Sequence, residues 1–212
     1  MGGAVPRRII RWLAHQLGEK RLARRAVSVD QGGQVACLVH RAQYAGVARF
    51  RQHSEPCLIT NAGPFLGLFE HSPWVVERAF AAAPFPDKCA LHAAMMRVVE
   101  DATAAERLAL IRAHPELGAR QAPLTEASEA EQQGAGLRAL SPEEFTHFTA
   151  LNEAYREKFG FPFIICVRLQ PGKTAILETF AKRLENDSDV EKTQALREIG
   201  SITWLRLQDI NP

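Results

Sequence analysis

Thr103-Ala104-Ala105-Glu106-Arg107-Leu108-Ala109-Leu110-Ile111-Arg112-Ala113-His114-Pro115-Glu116-Leu117 decides the fold, because both ends of one helix are written into it. Thr103-x-x-Glu106 is a capping box, in which each side chain bonds the other residue's free backbone N–H. The helix therefore starts just after Thr103. Pro115 disfavours helical backbone at the residue before it, so the helix ends at His114. The imidazole then leaves the helix at a fixed corner. A helix C-terminus carries partial negative charge and favours the protonated ring. This makes His114 a candidate proton donor near neutral pH. The plain alternative is a surface histidine at a helix end, and this stretch alone does not decide between them.

Outward from that helix the same punctuation repeats. Ser72-Pro73 places a cap residue and a first-turn proline ahead of a helix over 74–82. Asp87 opens a helix with Leu91, Ala94, Met95 and Val98 at helical spacing. Thr125 starts another through about Leu140, and Ser141-Pro142-Glu143-Glu144 starts a long one through Phe159. A further helix spans 174–186. Ser188-x-x-Glu191 opens the last, with Leu196, Ile199, Ile202 and Leu205 on one stripe. The expected architecture is all-α: a single compact domain of seven or eight helices over residues 63–210. No internal repeat or low-complexity tract interrupts it.

Two stretches within this domain suggest a ligand. Ser128, Glu131 and Gln132 lie at i, i+3 and i+4, so a hydroxyl, a carboxylate and an amide share one helix face. The face suits a small polar ligand rich in N–H and C=O groups. It also suits plain solvation, since Glu126, Glu129, Gln133 and Arg138 are near. The second stretch runs from Gly160 to Arg168 as Gly-Phe-Pro-Phe-Ile-Ile-Cys-Val-Arg. Its β-branched and aromatic residues read as one short extended segment without a partner strand. Its peptide groups are spare and available either to a ligand or to side chains and water.

The 212 residues fit one domain with an appendage. Residues 1–60 carry ten Lys/Arg against three Asp/Glu, while the remainder carries 16 against 21. A mildly acidic main body argues against nucleic acid as a partner. No apolar run of about 18 residues predicts a membrane span. Residues 1–60 read as a basic, poorly ordered N-terminal extension. Pro6 to Ala26 also suits a basic amphipathic helix, with Ile9, Ile10, Trp12, Leu13, Leu17 and Leu22 as its apolar face. Cys37, Cys57, Cys89 and Cys166 lack framework spacing and read as free thiols in a reducing compartment. Cys37/His40 and Cys89/His92 are C-x-x-H pairs that together suit zinc, but a thiol and histidine in an Ala/Leu/Met-rich helix more commonly serve packing.

In their order and spacing these motifs resemble the 2-oxo-4-hydroxy-4-carboxy-5-ureidoimidazoline (OHCU) decarboxylase family. The matching stretches are Glu70-His71-Ser72-Pro73-Trp74, His114-Pro115, Leu124-Thr125-x-x-Ser128-x-x-Glu131-Gln132, Leu151-Asn152-x-x-Tyr155, Phe159-Gly160-Phe161-Pro162-Phe163, and residues 202–207. The resemblance spans about residues 63–210 and leaves 1–60 outside. It implies an all-helical, usually dimeric carboxy-lyase of urate breakdown without metal or organic cofactor. That enzyme would convert the ureidoimidazoline to (S)-allantoin and CO2. It implies that His114 is catalytic and that Glu131 accepts hydrogen bonds from the substrate. It further implies substrate contacts from Pro115, Ser128 and Gln132, and from the segment Phe163, Ile164, Ile165, Cys166 and Val167. An arginine near the chain end completes the implied site, with Arg206 as the candidate and Arg168 left open by spacing. The C-terminal Asp209-Ile210-Asn211-Pro212 is not a peroxisomal signal, so the expected compartment is the cytoplasm. Two other classes remain at this point. One is a helical module that binds ureides or regulates without turnover. The other is a metal-dependent hydrolase built on the Cys/His pairs.

Overall fold

The computed structural model describes residues 58–119 and 124–210. The readings of Pro6 to Ala26 and of Cys37/His40 lie outside the described residues. Seven α-helices follow one another: α1 Trp74–Ala79, α2 Lys88–Asp101, α3 Ala104–Arg112, α4 Glu126–Gly134, α5 Pro142–Phe159, α6 Lys173–Arg183 and α7 Ser188–Asp209. Three short 3-10 turns, Gly63–Phe65, Phe80–Ala82 and Val167–Leu169, join them. Among the described residues there is no sheet; a single antiparallel bridge pairs Ile59 with Phe85 through N–H···O bonds of 2.8 and 3.0 Å.

The caps explain most of the helix starts. Thr103/Glu106 and Ser141/Glu144 form complete capping boxes. Asp87 accepts from the Ala90 N–H at 2.7 Å, and the Thr125 side chain accepts from the Ser128 N–H at 3.3 Å. Helix α5 ends at Gly160, whose φ of +74° suits glycine and turns the chain into the extended run.

Three expectations are corrected. Ser72 does not cap α1, whose N-terminus has no side-chain cap, and Phe80–Ala82 tighten into a 3-10 turn. Helix α4 stops at Gly134 and continues only as turns, with Gly136 at φ +73°. The start of α7 has no side-chain cap at all. Glu191 is instead wholly buried. It accepts from Arg183 Nε at 2.8 Å, from Asn186 at 2.7 Å, and from Arg183 Nη2 and the Tyr155 hydroxyl in shorter contacts.

Helix α7 is the axis of the fold, packed against both α2 and α3, while α1 packs on α2 and α5 on α6. Its far end is fastened from outside: Lys88 Nζ donates to the Gln208 and Ile210 carbonyls at 3.2 and 2.6 Å. Beneath the extended run lies an aromatic cluster in which the Phe163 and Phe180 rings stack at 3.8 Å and Tyr155 meets Phe163 edge-on at 5.3 Å. Arg183 lies over the Phe163 ring at 4.5 Å and donates to the Ile164 carbonyl at 2.7 Å. Cys166 N–H donates to Glu198 on α7 at 2.8 Å. Side chains thus satisfy part of the extended backbone, but the peptide groups of Phe163 and Ile165 find no hydrogen bond among the described residues.

Removing one member of a buried ion pair strands its partner. Glu191→Ala is expected to cost about 3 to 5 kcal/mol in urea unfolding. A loss below about 1 kcal/mol would show that the Arg183 pairing is not holding α6 against α7.

Candidate active site

Helix α3 ends at Arg112, two residues short of the His114 end expected from the sequence, and His114 follows the C-cap Ala113 with only 7% of it exposed. Its Nδ1 lies 3.0 Å from the Leu110 carbonyl. A carbonyl only accepts, so Nδ1 carries the hydrogen and Nε2 presents a lone pair. That Nε2 is buried and has no hydrogen-bond partner among the described residues. The expected protonated ring is corrected here. Burial pushes the imidazole pKa down to about 4; the Leu110 carbonyl and Glu70 oppose the shift, while Arg206 and His71 add to it. The helix dipole is real but is outweighed by desolvation. His114 is a neutral acceptor in the free protein.

Opposite the ring, Arg206 of α7 ties three elements together. Nε and Nη2 take both oxygens of Glu131 at 2.9 and 2.8 Å, a two-pronged carboxylate contact. Nη1 donates to the Leu68 carbonyl at 3.2 Å, and Nη2 also reaches Ser128 Oγ at 3.1 Å and Glu70 Oε1 at 3.2 Å. Arg168 is elsewhere, paired with Asp209 at 2.6 Å near the surface. Geometry therefore separates the two arginines that spacing left open.

Glu70 is the residue that sequence reasoning missed. It is 2% exposed, and one oxygen accepts from Thr125 Oγ1 at 2.8 Å, from Ser128 Oγ in a shorter contact, and from Arg206. Burial alone would raise its pKa, but Ser128, Arg206 and Thr125 outweigh burial and hold it below the ordinary carboxylate value. The available signal was an acid set among Leu66, Leu68 and Phe69, directly ahead of the His-Ser-Pro-Trp run.

The Ser128/Glu131/Gln132 face points inward rather than to solvent, with Ser128 and Gln132 both buried. Gln132 clamps the loop after His114: Oε1 accepts from Gly118 N–H at 3.0 Å, and Nε2 donates to the Glu116 carbonyl at 3.3 Å. Asn152 adds a 2.9 Å bond to the Leu117 carbonyl. Gly118 has φ +70°, and a Cβ there would stand 2.8 Å from Leu140. The clamp therefore depends on glycine.

His114, Pro115, Ser128, Glu131, Gln132, Phe163, Ile164, Ile165, Val167 and Arg206 all border one inner cavity of about 30 Å³. Cys166 does not: it packs away from the cavity, and burial pushes its thiol up to about 11. An outer chamber of about 820 Å³ shares Glu131, Val167 and Arg206 with the inner cavity, so the Glu131–Arg206 pair stands in the wall between them.

Among the described residues no set of three or more His, Cys, Asp or Glu side chains is grouped to hold a metal ion. His92 Nε2 instead contacts the Gly200 carbonyl at 3.0 Å and Thr203 Oγ1 at 3.2 Å.

Comparison with known proteins bears on this arrangement. The sequence profile described as OHCU decarboxylase matches residues 62–208. A protein of Haloferax volcanii named 2-oxo-4-hydroxy-4-carboxy-5-ureidoimidazoline decarboxylase is 44% identical over 142 residues, covering 67% of this chain and 83% of that protein. The crystal structure of an (S)-allantoin synthase superposes with a TM-score of 0.54 at 29% identity, over 70% of this chain and 48% of that one. The fold is also that of an OHCU decarboxylase crystallised in the presence of (S)-allantoin, with a TM-score of 0.57 at 21% identity, over 69% of this chain and 96% of that one.

The lowered His114 pKa has a thermodynamic signature. Between about pH 6.5 and pH 4 the unfolded chain holds this proton and the folded chain does not. Stability therefore falls as pH is lowered through that window, by about 3 kcal/mol from this group. Urea unfolding at pH 7 and pH 4 should show the wild type losing more stability than His114→Asn. An NMR titration placing the ring at or above pH 6.5 would contradict the neutral assignment.

Proposed function

The chain belongs to the OHCU decarboxylase family of carboxy-lyases in urate degradation, and we propose that the His114/Arg206 cavity is where it converts 2-oxo-4-hydroxy-4-carboxy-5-ureidoimidazoline to (S)-allantoin and CO2. One observation carries the assignment of residues. An unpartnered, buried Nε2 faces the same cavity as a guanidinium already in two-pronged contact with a carboxylate.

The substrate's name defines the chemistry. Hydroxyl and carboxyl share C4, the ureide is on C5, and the imidazoline ring holds a C=N bond that accepts electrons. No separate electron sink is needed. Arg206 pairs with the substrate carboxylate, and His114 Nε2 accepts the hydroxyl proton. As the C4–carboxylate bond breaks, its electron pair forms a C4–C5 double bond. The C=N pair moves onto the ring nitrogen, which takes up a proton. The C4 oxygen then becomes a carbonyl as the imidazolium returns its proton to one face of C5. CO2 leaves, and one proton is consumed overall. Glu131 accepts from the hydroxyl or ureide N–H groups, Ser128 contributes a hydroxyl contact, and the spare peptide groups around Phe163 and Ile165 pair with the ureide. Pro115 and Gln132 hold the histidine corner against the substrate.

The same reading assigns catalysis to residues 63–210, treats 1–60 as an extension, and makes the working form a cytoplasmic homodimer. The family resemblance supports the domain division and the homodimer. Among the described residues no helix is long and apolar enough to cross a membrane.

The test generates the substrate in place from urate with urate oxidase and hydroxyisourate hydrolase, and follows circular dichroism. Wild-type protein should give optically active allantoin, where spontaneous decay gives a racemate. His114→Asn should keep its far-UV spectrum and lose about a hundredfold or more in rate. Wild-type turnover in that variant sinks the role of His114. Tight allantoin binding by the wild type without turnover returns the non-catalytic alternative.

A further inference from the structure

We propose that Glu70 is a positioning residue for this reaction, the permanent counter-ion that holds Arg206 and Ser128 in place while the substrate carboxylate displaces Glu131. The inference rests on the reading of His114 and Arg206 above and adds a residue to it.

Arg206 faces two carboxylates that are held very differently. Glu131 occupies the Nε/Nη2 edge with both oxygens, the shape a carboxylate ligand requires. Among the described residues its carboxylate has no other hydrogen-bond partner, and the residue borders the outer chamber. A ligand carboxylate that takes this edge replaces Glu131 like for like, and the freed Glu131 carboxylate is then available to accept from the ligand's hydroxyl or ureide N–H groups. Glu70 is not replaceable in this way. Its side chain is 1% exposed, and a single oxygen collects Thr125, Ser128 and Arg206. It shares with Ser128 Oγ only the second hydrogen of Nη2 and leaves the two-pronged edge to the other acid. Without Glu70, release of Glu131 leaves Arg206 only the Leu68 carbonyl and Ser128 Oγ. Glu70 also takes the Ser128 proton, so that the Ser128 oxygen turns its lone pairs to Arg206.

Glu70 reaches the proton chemistry as well. The charged and titratable groups facing His114 are Glu70 and His71 ahead of α1, Arg206 on α7, and Glu131 on α4, which lines the same cavity. Glu70 favours the imidazolium, whereas Arg206 and His71 oppose it. A neutral side chain at position 70 therefore weakens His114 as a proton acceptor.

Glu70→Gln in the full chain tests this with two readouts. The first is steady-state kinetics in the coupled urate assay. KM should rise about tenfold or more, because a docking contact is disturbed, while kcat falls by the smaller factor expected of a weaker proton acceptor at His114. The second is the His114 ring titration by NMR of labelled histidine in the unliganded protein, which should move to lower pH. A folded Glu70→Gln with unchanged KM and an unchanged titration overturns the inference. Should that variant not fold, Glu70→Asp keeps the charge and carries the test: KM rises while the titration holds, and an unchanged KM overturns the inference. Failure of the wild type to turn over substrate instead overturns the proposed function, and the ring titration still decides whether Glu70 acts on His114.

Discussion

A guanidinium buried at Arg206 sets the terms for the rest of the structure. A buried charge is tolerated only when it is paired and hydrogen-bonded. Arg206 meets that demand with groups from two places far from it in the chain: Leu68 and Glu70 ahead of α1, and Ser128 and Glu131 on α4. The hydrogen bonds that solvate the charge therefore bind the turn before α1 to α4 and to α7. Two carboxylates on one cation leave the cluster with an excess negative charge. A proton arriving on His114 during reaction is then placed beside compensating charge, although the free protein keeps the ring neutral.

The helices were largely legible because their ends are decided locally. A threonine or serine with glutamate three residues on satisfies free N–H groups wherever it occurs, and Thr103/Glu106 and Ser141/Glu144 behave alike. The misreadings arise where the same residue types answer to tertiary contacts. Ser188-x-x-Glu191 has the cap pattern, yet the glutamate is drawn into the core by Arg183, Asn186 and Tyr155. Ser72 sits before a proline as a cap would, but is buried. Helix α4 gives way at Gly134 and Gly136, where glycine's backbone freedom outweighs the apolar spacing that continues beyond.

The site was legible to the extent that it lies on single elements. The i, i+3, i+4 face of Ser128, Glu131 and Gln132 and the unpaired run at Phe163 follow from periodicity and composition. His114 was placed to within two residues of its helix end but charged wrongly, because the helix dipole can be read from the sequence and burial cannot. Glu70 was quoted within a motif and given no part, since its partners lie 55 or more residues away along the chain. Arg168 and Arg206 stayed undecided for a related reason: which face of the last helix turns inward depends on α2 and α3.

Helix α7 can be regarded as a beam, about 33 Å long from its 22 residues. Near its start it is built into the core through Glu191, and at its end Lys88 grips two carbonyls. A beam deflects least beside its supports. Arg206 stands about 6 Å along the axis from Ile210. Helix α4, nine residues long, runs out at Gly134 into glycine-containing turns. The compliance of the site accordingly belongs to the glutamate side of the ion pair, and the arginine serves as the fixed datum against which a ligand is measured.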